Sequence, residues 1–210
     1  MMGKLDKLED AGMQGAPHIF WHGSQVSADV RSRQVGQRAA TVWLTGLSGA
    51  GKSTLASALE GRLVGAGHMA YVLDGDNLRH HLNRDLGFSP ADRQENIRRS
   101  AEVARIMNDA GLFVICAFIS PLRQDREMAR HIIGANNFLE THISTSAAVC
   151  EARDPKGLYQ KARAGLIPEF TGVSAPYEEP LAPALRLDTG ALPLDACCER
   201  LYQQLSRRFI

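Results

Sequence analysis

The chain has no long apolar run, no excess of one charge and only four cysteines. Each shortage excludes something. The longest hydrophobic stretch, LFVICAFI at residues 112–119, is far below the roughly 18–20 residues that span a bilayer, so no membrane-spanning helix is expected. With 24 basic side chains against 23 acidic ones the formal charge is +1. A broad nucleic-acid surface needs a basic excess, so none is expected, and anionic ligands must be held by local clusters of Lys and Arg. Cys116, Cys150, Cys197 and Cys198 contain no C-x-x-C pair, which points to structural thiols in a reducing cytoplasm. The opening MMGKLDKLEDAGMQG has no apolar signal core; residues 1–15 read as a frayed tail.

What is present is an ordinary globular composition, 44% hydrophobic and 22% charged over 210 residues, enough to bury one proper core. β-type segments alternate with helical ones: TVWLT (41–45), MAYVLD (69–74), LFVICAFI (112–119), FLETHIS (138–144) and ALRLDT (184–189), with a last amphipathic helix from about Leu194. That rhythm predicts a doubly wound α/β fold, a mostly parallel five-stranded sheet with helices on both faces. Ligands in such a fold bind at the C-terminal strand ends. Two regions break the rhythm. Residues 16–40 read as an N-terminal arm or short helix. Residues 154–183, rich in Gly, Pro and charge, read as a lid loop on a domain that spans 41–210.

The strongest single motif is Gly46-Leu47-Ser48-Gly49-Ala50-Gly51-Lys52-Ser53, followed by Thr54. A strand before it and a helix after it make this a P-loop. Its glycines let backbone N–H groups turn toward phosphate oxygens, and the helix dipole points at the same anion. Lys52 supplies a mobile ammonium, and the Ser53 hydroxyl is placed for Mg²⁺ carried with ATP. Such a loop normally works with a strand that ends in an aspartate. Here the most strand-like segment ends in Ser120-Pro121, with Pro121 expected to start the next helix. Two carboxylates instead follow the second strand, in Asp74-Gly75-Asp76-Asn77. Asp74 or Asp76 is placed to take a hydroxyl proton or to orient the metal, although D-G-D-N taken alone is more often a solvated turn. In residues 86–111, Ser89 reads as a helix N-cap with Pro90 in the first turn. Arg93 and Asn96 share a face of that helix and suit an anionic acceptor, whereas a lone helix arginine is usually a solvated charge.

The blocks DGDNLRHHLNRDLGFSPADRQENIRR, AFISPLRQDREMAR, CEARDPKGLYQKARAG and EFTG, in this order behind GLSGAGKST, resemble the adenylylsulfate kinases. The resemblance covers about residues 18–205. It implies a P-loop kinase that moves the γ-phosphoryl of MgATP to the 3′-hydroxyl of adenosine 5′-phosphosulfate. It further implies that Arg79, Arg93 and Asn96 hold the acceptor's phosphosulfate and nucleoside, with Ile119 and Ser120 alongside, and that Phe88 and Phe170 sandwich its adenine. Lys156 would meet the acceptor's anionic end and Arg153 would lie against the ATP base. Ser120 is a candidate phosphoserine intermediate, but a binding hydroxyl fits direct in-line transfer and is the preferred reading. This chain has Ile143-Ser144-Thr145-Ser146 where such kinases tend to have V-D-T-P, and His81 where they tend to have glycine. A homodimer is expected, with Trp21 and Trp43 able to support an arm contact, as is a link to a sulfate adenylyltransferase. The competing readings are another small-molecule P-loop kinase, such as a sugar-acid kinase, and a silent nucleotide-binding subunit. The first has no use for the F-S-P-x-D-R-x-x-N and K-G-L-Y blocks. The second predicts loss of Lys52, Ser53 or the Asp pair, all of which are present.

Overall fold

Thr41 to Thr45 form a strand, β1, in which every residue is buried, and Phe113–Ala117 form a second such strand, β3. Strands buried on both faces need no polar alternation and belong in the middle of a parallel sheet. In a computed structural model, which describes residues 18–20 and 22–210, they lie there. With β2 (Ala70–Asp74), β4 (Phe138–Ile143) and β5 (Leu185–Leu187), the order is β2-β3-β1-β4-β5. All four pairings are parallel; Trp43 sits opposite Cys116 on one side and Glu140 on the other. The mostly parallel sheet expected from sequence is therefore parallel throughout.

The pleat splits the core in two. Val42, Leu44, Phe113 and Ile115 face helices α2 (Lys52–Gly65) and α8 (Leu194–Phe209). Trp43, Val114 and Cys116 face α4 (Pro90–Asp109) and α5 (Arg123–Ile133), which pack on each other. Each fully buried large side chain contributes about 1.5–3 kcal/mol. Trp43 is fully buried and stacks on Phe118, with ring centroids 5.1 Å apart. It thus serves the core and offers nothing to an arm contact; Trp21 lies outside the described residues, as does the 1–15 tail.

The expected arm contains helix α1 (Ala28–Val35), N-capped by the Ser27 hydroxyl and closed by Gly36 at φ 74°. Gln37 then fastens the chain: its side chain donates to Met69 O and Gly111 O and accepts from Met69 N. Two sequence expectations change. Pro121 does not begin a helix, since α5 starts at Arg123 behind Leu122. D-G-D-N opens a helix, α3 (Gly75–His80), N-capped by Asp74, as the alternation of strands and helices leads one to expect. The lid is not all loop: after α6 (Ala147–Arg153) comes α7 (Leu158–Arg163), begun by Asp154, whose carboxylate accepts from Tyr159 N and Gln160 N. Among the described residues no helix is long and apolar enough to cross a membrane.

Candidate active site

The C-terminal edge of the sheet gathers the P-loop after β1, the α3 turn after β2, the Ile119–Ser120 turn after β3 and the lid. Two glycines are required by space as well as by turn geometry. A Cβ on Gly46 would stand 2.5 Å from Ile143 O, and one on Gly49 2.8 Å from Cys150 O, both backbone atoms; Gly49 also has φ 76°. The loop is thus pressed against the end of β4 and against α6. Lys52 Nζ donates to Gly46 O at 2.9 Å and Leu47 O at 2.7 Å. Burial lowers its pKa to about 8, because desolvation disfavours the ammonium; the carboxylates of Asp74 and Asp76 pull the other way. Thr54 and Ser53 are exposed in the first turn of α2, Ala50 is buried, and Leu47 and Ser48 are half-buried. Ser48 O accepts from the Tyr159 hydroxyl, which roots the lid on the P-loop.

The carboxylate absent after β3 stands one strand over. Ser53 Oγ donates to Asp74 Oδ2 at 2.6 Å, while Asp74 Oδ1 accepts from Asp76 N at 2.9 Å as the α3 cap. A hydroxyl and a carboxylate oxygen side by side at the P-loop are hard ligands of the type magnesium takes. Among the described residues no three His, Cys, Asp or Glu side chains form a metal cluster. Ser53, Asp74, Asp76 and Lys156 line one cavity of about 480 Å³, and Lys156 Nζ is paired with Asp76 there. The pairing raises the lysine's pKa. In this arrangement Lys156 answers an aspartate of its own chain.

Across the loop, Ser120 is buried with φ 38°, a left-handed conformation that costs a non-glycine residue on the order of 1 kcal/mol. Its Oγ accepts from Trp43 Nε1 at 3.1 Å. Among the described residues no His, Lys or carboxylate hydrogen-bonds that hydroxyl. Ile119 O accepts from Thr45 Oγ1 at 2.7 Å and from Gly46 N at 3.4 Å. The turn after β3 and the P-loop therefore share hydrogen bonds.

Arg79 donates to Leu86 O and Gly87 O and lies 4.4 Å over the Phe88 ring. Arg93 donates to Phe88 O at 2.9 Å and to Glu169 O at 2.9 Å, with Thr171 Oγ1 at 3.3 Å. Arg93 thus ties the loop of Phe88 to the loop of Phe170. Burial lowers the pKa of both arginines, and for Arg79 the charge of Arg93 adds to it. Two guanidiniums held close in a half-buried place favour an anion between them. Phe88 is 63% exposed, but Phe170 is buried and meets Tyr159 edge-on at 5.0 Å. The two aromatics that the resemblance pairs are therefore unlike: one is open and one is buried. Asn96 is buried too, its Oδ1 accepting from Asn83 Nδ2 at 3.0 Å. It shares a helix with Arg93 but faces inward.

Arg153 closes the other end of the site, donating to Thr189 Oγ1 at 2.8 Å, Thr189 O at 2.7 Å and Gly49 O at 3.4 Å. Thr189 in turn donates to Ala50 O. Sequence reading missed Thr189 and Asn83, and it missed Tyr177 and Arg126 beneath the Ser120 turn. For Thr189 a signal existed: it ends ALRLDT, at the strand end where ligands lie.

A P-loop at the end of the central strand, a Ser–Asp oxygen pair beside it and paired arginines under a rooted lid define a P-loop phosphotransferase. The family model described as "Adenylylsulphate kinase" matches residues 38–188. The chain is 54% identical over 188 residues to "Adenylyl-sulfate kinase" of Shewanella amazonensis, covering 90% of this chain and 95% of that one. It is 51% identical over 190 residues to the protein of that name from Prochlorococcus marinus, covering 90% and 94%. Among solved structures, the Mycobacterium tuberculosis APS kinase CysC in complex with AMPPNP and APS superposes with a TM-score of 0.78 at 49% identity, over 80% of this chain and 98% of that one. The chain belongs to the adenylylsulfate kinase family.

Proposed function

We propose that this protein transfers the γ-phosphoryl of MgATP to the 3′-hydroxyl of adenosine 5′-phosphosulfate, giving 3′-phosphoadenosine 5′-phosphosulfate. The observation that carries the reading is the placement, in a chain of this family, of the Ser53–Asp74 oxygen pair and the Arg79–Arg93 pair at one sheet edge. The backbone N–H groups of residues 46–54 and the ammonium of Lys52 receive the triphosphate, and Arg153 borders the nucleotide side with Thr189. Ser53, with Asp74, would hold Mg²⁺, which when bound neutralises charge on the phosphates. Asp74 or Asp76 orients the acceptor hydroxyl. Arg79, Arg93 and Lys156 bind the acceptor's phosphate and sulfate once they exchange their present carbonyl and carboxylate partners for it. Phe88 offers an open face to the adenine; Phe170 forms the opposite wall from within the packed lid. Ile119 and Ser120 border the acceptor, and Asn96 acts from beneath through Asn83.

Transfer is direct. Positioning and electrostatics do most of the work in such reactions, and among the described residues the group that hydrogen-bonds Ser120 Oγ is an indole, which cannot act as a base. Residues 154–183 form the lid on a kinase domain spanning 41–210. The reading carries with it a homodimer in the cytoplasm, supplied with acceptor by a sulfate adenylyltransferase. Steady-state turnover tests it: rapid ATP consumption with adenosine 5′-phosphosulfate and not with gluconate is expected. ATP binding without turnover on that acceptor would overturn it.

A further inference from the structure

We infer that Arg126 is a positioning residue for the acceptor side, holding the Ser120 turn and the 177–179 segment in one register. The inference rests on the reading of Ile119 and Ser120 as acceptor wall. The side chain of Arg126 is 3% exposed. A guanidinium that deep is tolerated only where its edges are paired, and here each edge has a partner. Nε donates to Glu140 Oε1, Nη1 to Ser120 O and Nη2 to Glu178 O, each at 2.7 Å. Its Cζ lies 5.9 Å from the centroid of the Tyr177 ring, which also stacks with His142, centroids 5.8 Å apart. The Tyr177 hydroxyl meets Thr45 Oγ1 at 3.0 Å, the group that donates to Ile119 O. Arg123, one turn earlier, fixes the same segment: its N–H donates to Glu178 Oε2 and its Nε to Glu179 O.

Stability alone does not call for this ion. A buried ion pair is commonly replaced by apolar side chains at no loss of stability. An apolar side chain cannot hold two carbonyls from segments 58 residues apart, Ser120 and Glu178, at fixed spacing. The carbonyl of Ser120 is a sensitive point to hold, since the residue is left-handed and its hydroxyl is already fixed by Trp43. Releasing Nη1 leaves the Ser120 carbonyl only its longer bond from Thr45 Oγ1, at 3.2 Å, so this peptide can rotate and move Ser120 and Ile119. The P-loop keeps the Lys52 bonds to Gly46 O and Leu47 O and stands to lose only the 3.4 Å bond from Gly46 N to Ile119 O. Arg126 therefore acts on the acceptor through Ser120 and touches neither substrate.

The test uses the full-length enzyme with Arg126→Lys, Glu140→Gln and the double variant Arg126→Met, Glu140→Met, which removes both charges together. In each folded variant the KM for the acceptor rises, about tenfold to a hundredfold for the arginine changes, the range a lost charged hydrogen bond gives. Glu140→Gln gives a smaller rise, and the KM for MgATP stays within about twofold. In a Trp21→Phe background the emission of Trp43, the indole bonded to Ser120, shifts in the arginine variants at unchanged far-ultraviolet circular dichroism. An unchanged acceptor KM, or both KM values rising in parallel, overturns the inference. Should the wild type fail to use adenosine 5′-phosphosulfate, the functional reading falls instead, and Trp43 emission still judges Arg126: no shift overturns the positioning role.

Discussion

The donor half and the acceptor half of the site are built in opposite ways. The centre of the donor half is one contiguous loop of eight residues pressed onto β4 and α6, with contacts over short stretches of chain, as when Lys52 reaches Gly46 O and Leu47 O. Arg153 and Thr189 are added to its rim from far along the chain. The acceptor half is assembled from the turn after β3, the start of α4, the α3 turn and the lid, joined by bonds such as Arg93 to Glu169 O across 76 residues. The first half is rigid by local covalent economy. The second is rigid only while several distant segments stay in register. A loop built in one piece serves any nucleotide triphosphate, whereas an assembled pocket can be tuned to one acceptor.

The comparison breaks most severely at Lys52. Lys52→Met removes the ammonium that both halves face, and we expect kcat/KM to fall by at least about 10²–10³-fold, the cost of losing one such electrostatic donor, in a coupled turnover assay. Next comes Arg93→Ala, which should separate the halves. Losing its charged hydrogen bonds should raise the acceptor KM about tenfold to a hundredfold, with ATP affinity by fluorescent nucleotide titration nearly unchanged. Equal losses on both substrates would show that the halves are one unit.

A pH series sharpens the donor half. The free enzyme's Lys52 titrates near 8, lowered by burial, and bound phosphates favour its protonated form. ATP must then recruit a proton above that pH, so affinity should hold below about pH 8 and fall by up to about tenfold per pH unit above it. Calorimetric titration between pH 7 and 9.5 reads the slope. The same shift acts on folding in the opposite sense. Between about 8 and 10.5 the unfolded chain binds the extra proton, so this group alone makes stability rise with pH. The smallest change belongs to Phe88→Ala. The ring is 63% exposed, so the melting temperature should stay almost fixed, with stability within about 0.5 kcal/mol. Acceptor binding should weaken by about 1–3 kcal/mol if the ring carries a stacked base. Loss of stability without loss of acceptor affinity would place Phe88 with Phe170, as a packing residue.

The same contrast explains what could be read from sequence. The strands were legible because TVWLT and FVICA are runs of apolar and β-branched residues with no charge, and the P-loop because its chemistry is contiguous. Asp74 was legible as a carboxylate at the sheet's C-terminal edge because it closes a strand. Helix α7 was not: six residues between Gly157 and Gly165 give too little periodicity, and its start depends on the Asp154 carboxylate. Nor were Arg126, Tyr177 and Thr189. Their partners lie far along the chain, as with Tyr177 and Thr45, 132 residues apart, and Thr189 and Ala50, 139 apart. The burial of Phe170 was not legible either, since it comes from tertiary packing on Tyr159.

The most direct measurement is a rapid-quench single turnover with γ-labelled ATP, Mg²⁺ and adenosine 5′-phosphosulfate. The account predicts that label passes from ATP to the 3′-position of the acceptor with no lag and with no acid-stable label on the protein. Label that first accumulates on Ser120 at a competent rate, or that never reaches the acceptor, would contradict it.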